Sequence, residues 1–112
     1  MSMIRFGQIG KLKPEKIEEY IELHANTWPG VLKTITECNL KNYSIFIQGD
    51  LLFSYYEYVG EDYEADMAKM AADPVTQDWW KCTHPCFEKY AVDPGSEFYH
   101  DMKQIFFHPY PT

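Results

Sequence analysis

Residues 42–59, NYSIFIQGDLLFSYYEYV, decide the fold. Two runs rich in aromatic and β-branched residues flank Gly49-Asp50, a turn signal, and so predict a β-hairpin. In the first run Tyr43 alternates with Ile45 and Ile47, which puts the three on one sheet face. In the second, Glu57 shares a face with Phe53 and Tyr55. Outward from the hairpin the apolar period lengthens to that of a helix. Upstream, IRFGQIGKL (Ile4 to Leu12) alternates loosely and reads as a strand. Pro14 then suits a first helical turn, and Glu15, Glu18 and Glu19 suit the positive end of its dipole. That helix runs to about Asn26, Pro29 breaks it, and a second helical piece follows through GVLKTITECN. Downstream, EDYEADMAKMAADP is helical, with Tyr63, Met67 and Met70 on one side. Asp73-Pro74 interrupts it, and VTQDWWKCTHPCF reads as another helix ending near Pro85. YAVDPGSEFYHD is loop-like, and KQIFFHP reads as the last strand.

The order is therefore β-α-β-β-α-β, an α+β chain with helices on one face of an antiparallel sheet, the ferredoxin-like arrangement. Its other sheet face cannot stay bare if it is apolar, so two copies packed sheet to sheet are the expected arrangement, as in dimeric α/β-barrels. At 112 residues the chain reads as a single domain, residues 1–112, with one core. It shows no repeat, low-complexity tract or linker.

Nine Tyr, seven Phe and three Trp exceed what so small a core needs, so some should line a cavity or an interface. A net charge of −7 disfavours nucleic acid or an anionic membrane surface as partner. No run approaches a membrane span, and the start, MSMIRFGQIGKLKP, has no apolar leader-like core. Three cysteines in no paired framework fit a reducing compartment, so a cytoplasmic location is expected.

The candidate chemistry begins in EEYIELHANTW (18–28). Steps of three and four from Ile17 give Tyr20, Ile21, His24 and Trp28, a stripe that holds a phenol and an imidazole. Histidine exchanges a proton near neutrality, and a neighbouring phenol can orient it or bind a substrate; a core pair satisfied by backbone carbonyls is the plainer alternative. In DWWK, Trp79 and Trp80 point about 100° apart on a helix, able to wall a pocket for the C–H face of a sugar or to divide between core and interface. Tyr43 can reach a ligand or cap the apolar layer. Glu57 can act as a base or sit at a solvated strand end. Cys82, His84 and Cys86 in CTHPC lack the paired spacing of a structural zinc site, and no metal or cofactor is expected. Gly-rich phosphate loops and nucleophile elbows are absent from the sequence.

Taken in order, EEYIELHANTWP, NYSIF, LLFSYYE, DWWK and QIFFHP resemble the L-rhamnose mutarotase family, over nearly the whole chain. The resemblance implies a ferredoxin-like homodimer that interconverts the α and β anomers of L-rhamnose, or of a closely related aldose, without a cofactor. Position by position it implies His24 as the proton donor, with Tyr20, Tyr43, Trp79 and Trp80 contacting the sugar. The chain departs from the family pattern at Gly30, where an acidic residue is common, and at Gln104, where Glu is common. The loop holding Phe98, Tyr99 and His100 also matches poorly. Two rivals share the topology or the aromatics: a small monooxygenase or haem-degrading enzyme, and a sugar-binding domain without turnover.

Overall fold

Gly49, at φ +62°, turns the chain between β2 (Leu40–Gln48) and β3 (Leu51–Tyr58), and the expected hairpin forms. The computed structural model describes residues 3–88 and 98–111. β1 (Ile4–Leu12) precedes a 3₁₀ turn at Pro14–Lys16 and two helices, α1 (Ile17–Ala25) and α2 (Pro29–Glu37). After the hairpin come α3 (Tyr63–Ala72) and α4 (Pro74–Thr83), a 3₁₀ turn at His84–Cys86, and the short strands β4 (Phe87–Glu88) and β5 (His100–Met102).

Prolines 14, 29 and 74 all lie in first turns, where the missing N–H costs nothing. Side-chain caps complete two helices: Asp62 accepts from the Ala65 N–H, and Asp73 from the Thr76 N–H. Asp73 also accepts from the Thr34 hydroxyl at 3.1 Å, which ties α4 to α2.

The sheet runs β2-β3-β1-β4, with β5 also paired to β1. Every pairing is antiparallel. β3 alternates without a break, burying Leu52, Ser54, Tyr56 and Tyr58 on one face. One core cluster gathers Leu12, Tyr20, Leu52, Cys86 and Phe87, and a second gathers Leu40, Tyr56 and Tyr58. β2 carries an irregularity between Lys41 and Ser44, where Asn42 adopts φ +53°. Asparagine tolerates this left-handed region better than most residues.

Two expectations need correction. The helix expected to end near Pro85 stops at Thr83, a 3₁₀ turn spans His84–Cys86, and Phe87, at the end of the stretch read as helical, enters β4. The last strand is His100–Met102, not KQIFFHP, so part of the expected loop is strand; residues 90–97 of that loop lie outside the described residues. The pairing explains the shift. Met102 lies opposite Gly7, so a strand continued past Gln104 would run off the end of β1 at Ile4. The tail leaves the sheet instead, with Ile105 89% and Phe106 81% exposed, while Phe107 lies under the Arg5 guanidinium. The sheet face turned from the helices is also partly bare, Phe46 being 65% exposed.

Candidate active site

On α1, Tyr20 and His24 stand one turn apart, and their rings meet at 4.3 Å between centroids. His24 Nδ1 donates to the Tyr20 carbonyl at 2.9 Å. A carbonyl only accepts, so Nδ1 carries the hydrogen and any proton exchanged with a substrate passes through Nε2. Burial lowers the His24 pKa, and the bond to the carbonyl partly opposes that by favouring the charged ring.

Helix α4 supplies the indoles. Trp79, buried at 6% exposure, meets His24 edge-on at 5.2 Å, and Trp28 meets Trp79 the same way at 5.2 Å. Trp80 is half-buried and stacks on His84. The close approach of α2 to α4 depends on Gly30, because a Cβ there would come within 2.9 Å of Val75 Cγ1. A side chain at position 30 would require the Val75 side chain to shift.

The Tyr20 hydroxyl shares a hydrogen bond with that of Tyr99 at 3.1 Å. Burial pushes both phenols upward, so they remain protonated at neutral pH. Tyr99 lies over β1 where Gly10 leaves room: a Cβ at Gly10 would approach Phe87 Cε2 at 2.9 Å and Tyr99 Cδ1 at 3.2 Å. From β2, Tyr43 leans on Tyr56 at 5.3 Å, and burial of its hydroxyl raises that pKa as well.

These rings enclose a cavity of about 240 Å³ between helices and sheet. Tyr20, His24, Tyr43, Trp79 and Trp80 all line it, so three separate elements bring the five expected site residues to one hollow. A second hollow of about 520 Å³ adjoins along α2 and shares His24, Tyr43 and both indoles. Glu57 is not on the wall. It lies on the opposite sheet face from Tyr56, half-buried, accepting from the Tyr55 hydroxyl at 2.6 Å and the Asn42 amide at 2.9 Å. Those bonds lower its pKa, so of the two roles weighed for Glu57 the solvated one fits.

Sequence reasoning did not single out Tyr56, His84, Phe98 or Tyr99 as cavity residues. The spacing of Trp80 and His84 at i and i+4 was a signal for one of them, and Gly10 inside a strand was a signal that another group approaches closely. Phe98 and Tyr99 come from a segment without periodicity. Among the described residues no group of three His, Cys, Asp or Glu is placed to hold a metal ion, and no helix is long and apolar enough to cross a membrane.

The chain is thus an α+β protein of the ferredoxin-like class, with an imidazole on the wall of an aromatic cavity. The family model for L-rhamnose mutarotase matches residues 5–108, and the chain belongs to that family. It is 33% identical over 107 residues to the L-rhamnose mutarotase of Listeria monocytogenes, covering 94% of this chain and 98% of that one. The L-rhamnose mutarotase of Oceanobacillus iheyensis is 32% identical over 106 residues, with 93% and 97% covered. Among solved structures, the L-rhamnose mutarotase from Formosa agariphila superposes with a TM-score of 0.73 at 20% identity, covering 95% of this chain and 99% of that one. A putative antibiotic biosynthesis monooxygenase from Nitrosomonas europaea gives 0.60 at 16%, with 98% and 93% covered. At such identities both speak to the fold, which they share, and not to the chemistry.

Proposed function

We propose that this chain is an L-rhamnose mutarotase, an isomerase of the aldose 1-epimerase type that interconverts the α and β anomers of L-rhamnose or a closely related aldose. The observation that carries the reading is the convergence of Tyr20, His24, Tyr43, Trp79 and Trp80 on one cavity, in a chain of that family. Ring opening requires the anomeric hydroxyl to lose a proton while the ring oxygen gains one. The resulting aldehyde turns about its bond to the sugar chain and recloses on its other face. Proton transfer by positioned side chains supplies roughly 10²–10⁴-fold, and the reaction needs no redox step and no covalent bond to the protein.

In this reading His24 protonates the ring oxygen from Nε2. The Tyr20 carbonyl aids it by favouring the charged ring. The indoles hold the apolar face of the pyranose, and the Tyr20 and Tyr43 hydroxyls bind its polar groups. Residues 1–112 act as one domain. Two copies cover the apolar sheet face around Phe46 and the exposed tail at Ile105 and Phe106, which gives the surface a reason to be apolar. The free thiols of Cys38, Cys82 and Cys86 suit a cytoplasmic setting.

Saturation-transfer NMR on equilibrated L-rhamnose tests the activity. Wild-type protein is expected to speed transfer between the two anomeric resonances, and His24→Ala to abolish the gain. A wild type that binds L-rhamnose calorimetrically without speeding exchange would make the chain a sugar-binding domain instead.

A further inference from the structure

Acid–base ring opening needs two proton-handling groups, and the cavity wall holds two imidazoles. His84 stands in the 3₁₀ turn after α4, outside the family's implied site residues, yet it lines the same cavity as His24. Its ring is sandwiched: Phe98 stacks on it at 3.9 Å and 15°, and Trp80 at 5.4 Å and 17°.

The sandwich belongs to a closed circuit of rings. From Trp80 the contacts run through His84 and Phe98 to Phe87, at 5.6 Å from Phe98. They continue through Tyr20 and His24 to Trp79, the chain neighbour of Trp80. The two imidazoles are separated by two indoles one way round and by three rings the other. Both imidazoles line the cavity that a sugar would occupy.

The other groups on the wall do not suit the role of base. No Asp or Glu is among the described residues lining the cavity. Its titratable members besides His84 are Tyr20 and His24 from α1, Tyr43 from β2, Tyr56 from β3 and Tyr99. Burial raises all four phenols, so they keep their protons near neutrality. That leaves an imidazole to take a proton.

We infer that His84 is a second catalytic residue, the general base that takes the proton of the anomeric hydroxyl while His24 protonates the ring oxygen. The inference rests on the mutarotase reading. In the opening step a ring nitrogen of His84 takes the C1 hydroxyl proton, and the freed O–H electron pair forms the C=O bond. The bond from C1 to the ring oxygen breaks, and its electron pair takes the proton of His24 Nε2. Reclosure on the other face returns both protons, so the protein ends unchanged. Burial favours the neutral form of both rings, which suits His84 as the proton acceptor; only at His24 does a carbonyl oppose it, that of Tyr20, which favours the charged, proton-donating ring.

Two variants separate this role from packing. His84→Phe keeps a flat ring between Trp80 and Phe98 but cannot titrate, and His84→Gln keeps hydrogen-bonding capacity. Both are expected to lose roughly 10²-fold or more in kcat for anomer exchange with KM within a few fold of wild type. The fall in kcat toward low pH, which reports proton uptake by the base, is expected to disappear in both. In wild-type protein, L-rhamnose should also shift the His84 Cε1–H resonance, a readout that needs no variant. His84→Phe with wild-type kcat and an intact acidic limb would overturn the assignment and leave the stack as packing. A wild type that speeds exchange of no aldose would instead overturn the mutarotase reading, and this inference with it.

Discussion

Two groups of tyrosines lie over the same sheet face and differ in what their polar ends meet. In one, Phe6, Tyr56 and Tyr63 stack at 4.9 and 4.7 Å, and the Tyr56 and Tyr63 hydroxyls share a bond of 2.6 Å. Beside them Tyr58, 2% exposed, donates to Asp66 at 2.6 Å and accepts from the Asp62 N–H at 3.0 Å, its pKa pushed up to about 12. Asn39 closes the network by donating to Asp66 at 2.9 Å. In the other group Tyr20 and Tyr99 bond to each other, and His24 has one nitrogen fixed on a backbone carbonyl and the other available to the cavity. Aromatic content is common to both. Carboxylate and amide partners close the first network and fasten α3 to the sheet; in the second, the ring of His24 lines the cavity, where it can exchange a proton with a guest.

The largest effect should come from the open group. His24→Ala is expected to lower catalysed anomer exchange by about 10²–10⁴-fold with the unfolding midpoint in urea little changed, since the ring is only half-buried. Loss of stability without loss of exchange would break the contrast. Next, Tyr20→Phe removes its bond to the half-buried Tyr99 hydroxyl, and is expected to cost about 0.5–1.5 kcal/mol of stability. The double variant Tyr20→Phe, Tyr99→Phe should be less destabilised than the sum of the singles, as a double-mutant cycle in urea would read.

The part of the closed group built on Tyr58 and Asp66, neither of which lines the cavity, should respond in stability alone. A methyl at Gly60 would collide with the Tyr58 hydroxyl and Asp66 Oδ2, so Gly60→Ala is expected to cost about 1–3 kcal/mol and to leave kcat unchanged. A drop in kcat there would mean the two groups are coupled. The smallest effect separates them by pH. His24 and His84 are both held below the ordinary 6.5, so between 6.5 and their folded values the unfolded chain binds protons that the fold does not. Stability should therefore fall as pH drops through that window. Asp66, held below 3.8 by its bonds to Tyr58 and Asn39, keeps its contribution above that value and loses it as pH falls through the folded pKa. Urea midpoints from pH 8 to 3 should show two separate declines, and His84→Phe should shrink only the first.

The hairpin, the helix starts at Pro14, Pro29 and Pro74, and the shared faces of Tyr20 with His24 and of Tyr43 with Ile45 were all legible, because each follows from local period or from one residue's backbone chemistry. The end of the last strand was not. KQIFFHP has the composition of a strand, but a strand needs a partner edge, and the register brings Ile105 opposite Ile4, where β1 ends, so the rest of that segment has none. Glu57 has a base's chemistry, and only the sheet's facing shows that it turns from the cavity. Tyr99 and Phe98 come from a segment whose place is set by contacts far along the chain.

By itself the sequence determined the order of elements, the stripe that joins an imidazole to a phenol, and the pair of indoles, since these depend on neighbours a few residues away. Tertiary structure alone decided that α1, β2 and α4 converge on one hollow, that Gly10 and Gly30 let rings and helices come close, and that His84 faces the same space as His24. Those outcomes depend on which surfaces can approach without collision, a property of packed shapes that no local period encodes.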